Sequence, residues 1–251
     1  MNRAPRLLVF QHIDVEHPGI FREFLAADGI EWDTVALDLG EPIPDLEAYN
    51  GLWVMGGPMD VWEESDNPWL VVEKQAIKRA VVDLNLGYMG ICLGHQLLAS
   101  ALGGEVGKGI SEVGVMPVEL TADGKASTYF EDLPSTLDCL QWHGAEVTGV
   151  PEGARVLARS EKCAVQSMSI GEKAFSAQFH VEVTPATVPE WSGVPTYAQA
   201  LDEALGVGAL DGFQSAADDA MAKFNSCAKK LYDNWMRATK LIVQREAVES
   251  A

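Results

Sequence analysis

A cysteine flanked by glycines is the residue of this chain best placed to act as a nucleophile. Cys92 lies in the run Gly90–Gln96 (GICLGHQ), where an apolar segment ends and a helical pattern begins almost at once. Glycines two residues to either side let the backbone turn sharply between a strand and a helix. The helix N-terminus supplies positive potential and free N–H groups, and both stabilise a thiolate. The remaining cysteines are predicted to be buried structural residues: Cys139, Cys163 and Cys227.

A cysteine nucleophile needs a base, and the base needs a group that orients it. His180 and Glu182 stand two residues apart, at the end of a β-like run. Strand alternation would place both side chains on one face. Glu182 would then hold the His180 imidazole in the productive tautomer and stabilise its charged form. The pair is therefore predicted to serve Cys92.

Strands and helices alternate over the first hundred residues and must position these groups. Apolar runs at 6–13, 34–39, 51–55 and 87–92 predict strands, and helical patterns are present at 18–27, 69–84 and from 94 onward. This alternation predicts an α/β fold with an open, mostly parallel sheet and helices on both faces. Such sheets bind ligands at the carboxyl ends of their strands, where Cys92 lies.

The second half of the chain has a different pattern. Short β-like runs at 115–120, 155–158 and 174–179 alternate with turn residues, and they either extend the sheet or form a second small one. After about residue 185, prolines and glycines mark a loop, and helices are predicted at 197–205 and 215–237. We predict a main domain over residues 1–185 and a helical extension over 186–251 packed on it.

Three motifs in this order resemble those of the class I, or triad-type, glutamine amidotransferases. Gly90–Gln96 resembles the family's nucleophile motif, Gly56–Pro58 (GGP) its oxyanion loop, and Gln178–Glu182 (QFHVE) its histidine–glutamate motif. The resemblance covers residues 6–185. The run Gln141–Gly144 (QWHG) makes the chain most similar to stand-alone members that resemble GMP synthase.

The resemblance implies a flavodoxin-like fold and assigns site residues by their positions in the motifs. It implies a catalytic triad, two backbone donors to an oxyanion, and three contacts to the substrate. These are Cys92, His180 and Glu182 for the triad, the N–H groups of Gly57 and Leu93 for the oxyanion hole, and Gln96, His143 and Gly144 for the substrate.

The activity implied is hydrolysis of the γ-carboxamide of glutamine, or of a γ-glutamyl amide, through a γ-glutamyl thioester on Cys92. One version is a glutaminase that passes ammonia to a separate synthetase. Another is a hydrolase of γ-glutamyl amides or peptides that acts alone. A third alternative is a binding or regulatory module that keeps the fold and has lost catalysis. One departure bears on the substrate, because Ala145 stands where the family frequently has Asp.

Composition excludes several other classes of function. The 37 acidic and 18 basic residues give a net charge of −19, which disfavours nucleic acid and anionic membranes as partners. No apolar run approaches the ~18–20 residues of a membrane span, and the run after Arg6 is too short for a signal-peptide core. Cysteines without a CxxC spacing favour a reduced, cytoplasmic setting. Neither a metal-ligand spacing nor a phosphate-binding loop is present, so we expect no metal and no cofactor.

The other histidines and two tryptophans are assigned more modest roles. His12 and His17 flank a strand–helix turn and are predicted to be structural residues at the surface or rim. His95 lies on the first turn of the helix after Cys92, where packing or positioning is expected. Trp62 and Trp191 are candidates to border the site.

Overall fold

The computed structural model describes residues 5–241, so residues 1–4 and 242–251, the outer ends of the predicted domain and extension, lie outside the described part. A single sheet organises the described residues. Its strands are β1 (Arg6–Gln11), β2 (Glu31–Ala36), β3 (Gly51–Val54), β4 (Gly87–Ile91), β5 (Glu105–Leu120), β6 (Thr136–Gly149), β7 (Ala154–Arg159), β8 (Ser167–Ile170) and β9 (Ala174–Ala177). Their order is β2-β1-β3-β4-β9-β8-β7-β5-β6.

Helices cover both faces of this sheet. They are α1 (Phe21–Asp28), α2 (Trp69–Lys78), α3 (Leu93–Ala101), α4 (Ala122–Ala126), α5 (Thr187–Ser192), α6 (Pro195–Leu205) and α7 (Leu210–Thr239). Alternate residues of β1 divide the core: Leu7 packs with side chains of α1 and α7, and Leu8 packs with side chains of α2 and α3. A strand buried on both faces is typical of a parallel α/β sheet. The predicted α/β class, with helices on both faces, is confirmed.

Pairing is parallel in one half of the sheet and antiparallel in the other. The strands from β2 to β9 pair in parallel in the order β2-β1-β3-β4-β9. Beyond β9, the pairs β9-β8, β8-β7, β7-β5 and β5-β6 are antiparallel. The second half of the chain therefore extends the same sheet, which was one of the two arrangements expected. Strands β6 and β8 and helices α4 and α5 have no counterpart among the predicted elements.

Several predicted elements have different bounds; the strand predicted over 115–120, for example, is the much longer β5, and the helix predicted over 215–237 is the longer α7. The helix predicted over 69–84 is α-helical only to Lys78 and continues as one π-helical turn, Arg79–Asp83. The strand predicted over 174–179 ends at Ala177, where the backbone N–H of Gln178 turns to bind Gln166 O. The prediction that His180 and Glu182 share a β-strand face was therefore wrong. They lie on the loop after β9, and His180 forms an isolated bridge with Leu140 of β6.

Helix α7 connects two parts of the core. Its first half packs Phe213 and Phe224 against Trp142 of β6, and its second half packs Tyr232 and Trp235 around Trp53 of β3. The Trp235 indole N–H also donates to the Tyr88 carbonyl at 2.9 Å. The division of the chain at residue 185 stays a prediction, and residues on both sides of it contribute to these clusters.

Candidate active site

Cys92 occupies a strained turn between β4 and α3. Its φ of 51° and ψ of −105° are rare for a residue with a side chain. A Cβ at Gly94 would lie 2.1 Å from the Val54 carbonyl oxygen, and a Cβ at Gly90 would lie 2.5 Å from the Gly94 carbonyl oxygen. Only glycine therefore fits at either position. The sharp strand–helix turn expected from the sequence is present at this point.

His180 and Glu182 form a buried pair behind Cys92. The distance from His180 Nδ1 to Glu182 Oε1 is 2.6 Å, and Glu182 Oε2 accepts a hydrogen bond from the Val181 N–H at 3.0 Å. The second carboxylate oxygen is thereby fixed by the backbone. His180 Nε2 is buried and has no hydrogen-bond partner among the described residues. A carboxylate thus orients the ring and leaves its other nitrogen free for a reacting group.

The environment of His180 favours its charged form. Burial lowers the pKa of the imidazole, but the Glu182 carboxylate and the Cys92 sulfur raise it, and the result lies well above the ordinary value of 6.5. An imidazolium next to a cysteine stabilises the thiolate and holds a proton that a leaving group needs. These are the electrostatics of a cysteine–histidine pair.

Two glutamine side chains, linked by a hydrogen bond, extend to the Cys92 thiol. Gln178 Nε2 lies 3.5 Å from Cys92 Sγ, and Gln96 Nε2 donates to Gln178 Oε1 at 3.0 Å and to Ala145 O at 3.1 Å. Gln178 belongs to a motif recognised in the sequence, but no role was predicted for it. Gln96 was predicted to contact the substrate. Its side-chain amide donates to Gln178 and Ala145 instead, and its side chain also lines the cavity.

The two residues predicted to supply the oxyanion donors, Gly57 and Leu93, are neighbours in the structure. A Cβ at Gly57 would lie 2.9 Å from Leu93 Cδ2 and 3.0 Å from His12 Cβ, so the loop packs directly against the start of α3. None of the turn and loop hydrogen bonds of residues 5–241 uses the N–H of Gly57 or of Leu93. The neighbouring Gly94 N–H, in contrast, binds Met55 O at 3.1 Å.

A cavity of about 290 Å³ opens at Cys92. It brings together most of the residues that the motifs assigned, except His180 and Glu182, which lie behind the cysteine. It also includes residues of α6 that no motif indicated. Among its lining residues are Gly57, Cys92, Leu93, Gln96, His143 and Gly144 from the prediction, and Thr196, Tyr197 and Ala200 from α6.

His143 is not placed to act as the base, because both of its ring nitrogens have hydrogen-bond partners. Its Nε2 lies 3.1 Å from Glu112 Oε2, and its Nδ1 lies 3.0 Å from Ala145 O. Ser160 and Gln166 also donate to Glu112. Burial raises the pKa of this carboxyl, but the bonds from His143 and Ser160 bring it below its ordinary value. Glu112 was missed in the sequence because it falls within the long strand β5, at a position without a motif.

A buried carboxyl close to the triad was also missed. Glu16 is 2% exposed, and its Oε1 accepts a hydrogen bond of 2.6 Å from the Tyr197 hydroxyl. A Cβ at Gly56 would lie 2.6 Å from Glu16 Oε2. Burial raises the pKa of Glu16 above its ordinary value, although His180 and Tyr197 oppose this effect. Trp191 of α5 borders the same region, with its ring 4.7 Å from that of His180.

His12 is a core residue and does not lie at the rim, so that prediction was wrong. It is fully buried, and its Nδ1 lies 2.7 Å from Gly56 O and its Nε2 2.9 Å from Glu73 Oε1. Burial lowers the pKa of this imidazole, but Glu73 and the Gly56 carbonyl raise it above the ordinary value. His95 has the structural place expected, between Ser176 Oγ and Val165 O, and burial lowers its pKa to about 3.

Within residues 5–241, no cluster of three or more His, Cys, Asp or Glu side chains is arranged to hold a metal ion. Over the same residues, no helix has both the length and the apolar character needed to cross a bilayer.

Known proteins of one family are similar to this chain. The family described as glutamine amidotransferase class-I matches residues 23–190. The chain belongs to the class I glutamine amidotransferases. A solved structure of a glutamine amidotransferase from Thermotoga maritima superposes with a TM-score of 0.83 at 28% identity, over 95% of this chain and all of the other.

Named relatives within the family carry two different activities. Gamma-glutamyl peptidase 3 of Arabidopsis thaliana is 31% identical over 65% of this chain and 69% of its own length. A separate chain of the glutamine-hydrolyzing GMP synthase from Sulfolobus acidocaldarius is 33% identical over 60% of this chain and 77% of its own length. Both names describe hydrolysis at a glutamyl group, so this chain is similar to hydrolytic enzymes of both kinds.

Proposed function

We propose that this chain hydrolyses the γ-carboxamide of glutamine, or a γ-glutamyl amide, with Cys92 as nucleophile, His180 as base and Glu182 as the group that orients it. The observation that carries the proposal is the free Nε2 of the buried His180 ring, next to Cys92 and opposite the 2.6 Å bond to Glu182. An oriented base with one unoccupied nitrogen beside a nucleophile is the arrangement that covalent catalysis requires.

The first half of the reaction forms a thioester. The Cys92 sulfur attacks the γ-carbonyl carbon, and the carbonyl oxygen becomes an oxyanion held by the N–H groups of Gly57 and Leu93. His180 holds the thiol proton and passes it to the nitrogen as the C–N bond breaks, so ammonia or an amine leaves. Removing one oxyanion donor costs roughly 10²–10³ in rate in comparable sites.

The second half releases glutamate. Water enters the place of the leaving group, and His180, neutral after the first half, takes its proton. The hydroxide adds to the thioester carbon, and the same two N–H groups hold the second oxyanion. Cleavage of the C–S bond leaves the sulfur as thiolate beside the protonated His180. The enzyme thereby returns to its starting state with no further reactant.

Glutamate release by the purified chain tests this proposal. We expect the wild type to release glutamate from glutamine or from a γ-glutamyl amide, and Cys92→Ala to release none. Cys139→Ala is the matched control, because Cys139 is fully buried in the core and away from the cavity. Full activity of Cys92→Ala would rule the mechanism out.

A glutamine-like electrophile separates an enzyme from an inactive module of the same fold. 6-Diazo-5-oxonorleucine should attach to wild-type Cys92, and mass spectrometry of the peptide that carries Cys92 would locate the label. Glu182→Gln should be labelled more slowly, because His180 then lacks its carboxylate. If the wild type remains unlabelled and releases no glutamate, the chain is a binding module.

One observation favours a hydrolase that acts alone over a glutaminase that passes ammonia to a synthetase. Helix α6 of this chain itself lines the cavity with Thr196, Tyr197 and Ala200. The amine of a γ-glutamyl amide could therefore bind against α6 without a partner protein. Rapid turnover by the chain alone supports this version, whereas slow turnover of a chain that still labels at Cys92 supports a synthetase partner.

A further inference from the structure

The lining of the cavity beside Cys92 includes two charged side chains, Asp60 and Lys108. Asp60 follows the oxyanion loop, and Lys108 lies on β5 opposite Ala145 of β6. Within residues 5–241 neither side chain forms an ion pair with another side chain. Lys108 is near enough to oppose the rise that burial and Glu63 cause in the pKa of Asp60. These two free, opposite charges complement the amino and carboxylate groups of a free α-amino acid.

Four other residues of the lining carry no charge and are connected to one another. They are Trp142 from β6 and Thr196, Tyr197 and Ala200 from α6. Thr196 and Ala200 are four residues apart on α6 and so present one face of the helix. The Trp142 indole N–H donates to Tyr197 O at 3.1 Å, which ties the strand to the helix. We refer to these four residues as the α6 wall.

The α6 wall lies on the side where the leaving group departs. In the proposed reaction the amide nitrogen takes its proton from His180, so the amine leaves next to that ring. The Trp191 ring lies 4.7 Å from the His180 ring and 5.8 Å from the Tyr197 ring, which makes the α6 wall continuous with the base. The leaving amine therefore passes between His180 and an aromatic, uncharged surface.

We infer that the γ-glutamyl amides hydrolysed here carry an uncharged, apolar amine in place of an amino acid; this inference rests on the proposed function. Among the described residues that line the cavity, Lys108 is the only cation. In this arrangement the α-carboxylate of the glutamyl group pairs with Lys108. A peptide substrate brings a second carboxylate, which would be desolvated against Trp142 and Tyr197, and the charge of the nearby His180 is already balanced by Glu182 at 2.6 Å. The net charge of −19 opposes that second carboxylate further.

The size of the cavity limits the amine. At about 290 Å³ it stands at the lower end of the ~300–1,000 Å³ range of small-molecule sites. The glutamyl group takes a large share of this volume. An amine of a few carbons fits the remainder.

A matched pair of substrates tests the inference. γ-Glutamyl-isopentylamide and γ-glutamyl-leucine differ by one carboxylate on the leaving amine, and glutamine serves as the reference substrate. We expect kcat/KM of the wild type to be roughly 10- to 100-fold higher for the isopentylamide, which is the effect of burying one unpaired charge. Equal values, or a preference for γ-glutamyl-leucine, would overturn the inference.

A charge placed on the α6 wall should change this preference. Ala200→Lys offers a cation to the second carboxylate, so the ratio of the two kcat/KM values should fall by about tenfold. Ala200→Gln, which lengthens the side chain without a charge, should keep the wild-type ratio. An unchanged ratio in a folded Ala200→Lys variant contradicts the inference.

The reference substrate separates the two proposals. If glutamine is hydrolysed and neither amide is, the inference about the amine is wrong and the proposed function stands. If none of the three substrates yields glutamate, the proposed function is wrong and the inference fails with it.

Discussion

Removing one partner of the buried pair His12–Glu73 should destabilise the fold more than breaking an exposed ion pair. Both side chains are fully buried, and both ring nitrogens of His12 face acceptor oxygens, Glu73 Oε1 at 2.9 Å and Gly56 O at 2.7 Å. A ring that donates from both nitrogens carries a positive charge. Glu73→Gln keeps the shape and the acceptor, but it leaves that charge without a counter-ion.

Removing one partner of a buried pair costs about 3–5 kcal/mol, and the amide that remains places this variant near about 3 kcal/mol. Glu64→Gln is the matched control, because it breaks the 2.6 Å pair with Lys74 in which the Glu64 side chain is 47% exposed. Exposed pairs contribute about 0–1 kcal/mol. Urea unfolding at about pH 6, followed by circular dichroism, measures both differences.

The pH dependence has a definite sign. Since Glu73 and Gly56 raise the pKa of His12 above 6.5 in the folded protein, the stabilisation is fully present below that value and is lost as pH rises through the folded pKa. The stability difference between wild type and Glu73→Gln should therefore shrink at alkaline pH. A variant as stable as the wild type at about pH 6, or a difference that grows with pH, refutes the reasoning.

The same substitution should slow the reaction. His12 holds the Gly56 carbonyl, and the next peptide group carries the Gly57 N–H proposed for the oxyanion. Small displacements of such a donor cost roughly 10- to 100-fold in rate. We expect kcat for glutamate release to fall in Glu73→Gln with KM nearly constant, because the donor acts on the transition state. A rise in KM alone would indicate a change in substrate binding.

Two further substitutions test the triad and the turn at Cys92. Glu182→Gln should lower the pKa of His180 and reduce kcat by roughly 10³–10⁴-fold with the fold intact, as measured by initial rates and circular dichroism; a loss below tenfold would contradict an orienting role. Gly94→Ala places a Cβ 2.1 Å from Val54 O and should destabilise the protein by at least about 2 kcal/mol, whereas Gly144→Ala, where an added Cβ meets nothing within 4 Å, should stay within about 1 kcal/mol by thermal unfolding.

The parts of the fold that follow from local rules were predictable. Alternation of apolar runs with helical patterns indicated the parallel half, because each βα unit has its own period and turn residues. The turn at Cys92 was equally local, since Gly90 and Gly94 flank the cysteine within five residues. Strand β6 could not be predicted from local rules. Its fourteen residues pair with β5, from which they are separated by another segment of the chain, and its interior holds Trp142, His143 and Gly144.

The polar groups behind the site could not be found from the sequence, because each depends on a distant partner. Glu16 and Tyr197 are 181 residues apart, and His12 and Glu73 are 61 apart. A histidine next to a turn is typical of the surface, and the burial of His12 comes with partners that are distant in sequence, Gly56 and Glu73. The His180–Glu182 pair was predicted on a strand that ends at Ala177, so its geometry comes from tertiary contacts.

The bond between Tyr197 and Glu16 decides whether α6 belongs to the catalytic unit. Burial raises the pKa of Glu16, so its charged form is costly and depends on the Tyr197 hydroxyl. Tyr197→Phe should therefore cost about 1.5–3 kcal/mol at alkaline pH, where Glu16 is charged, and less at acid pH. In a Glu16→Gln background the loss should fall below about 1 kcal/mol, which a double-mutant cycle by urea unfolding measures.

Activity distinguishes this coupling from simple packing of an extension. The positive charge of His180 lowers the pKa of Glu16, so the charge of Glu16 in turn acts on the base. Tyr197→Phe should therefore shift the acid limb of the kcat profile against pH, whereas Tyr129→Phe, which removes a hydroxyl bonded to Glu172 O at 2.9 Å, should not. A profile unchanged in Tyr197→Phe, with additive stabilities in the cycle, would mean that α6 only covers the site. A shifted profile makes residues beyond 190, where the family match ends, part of the machinery that sets the state of His180.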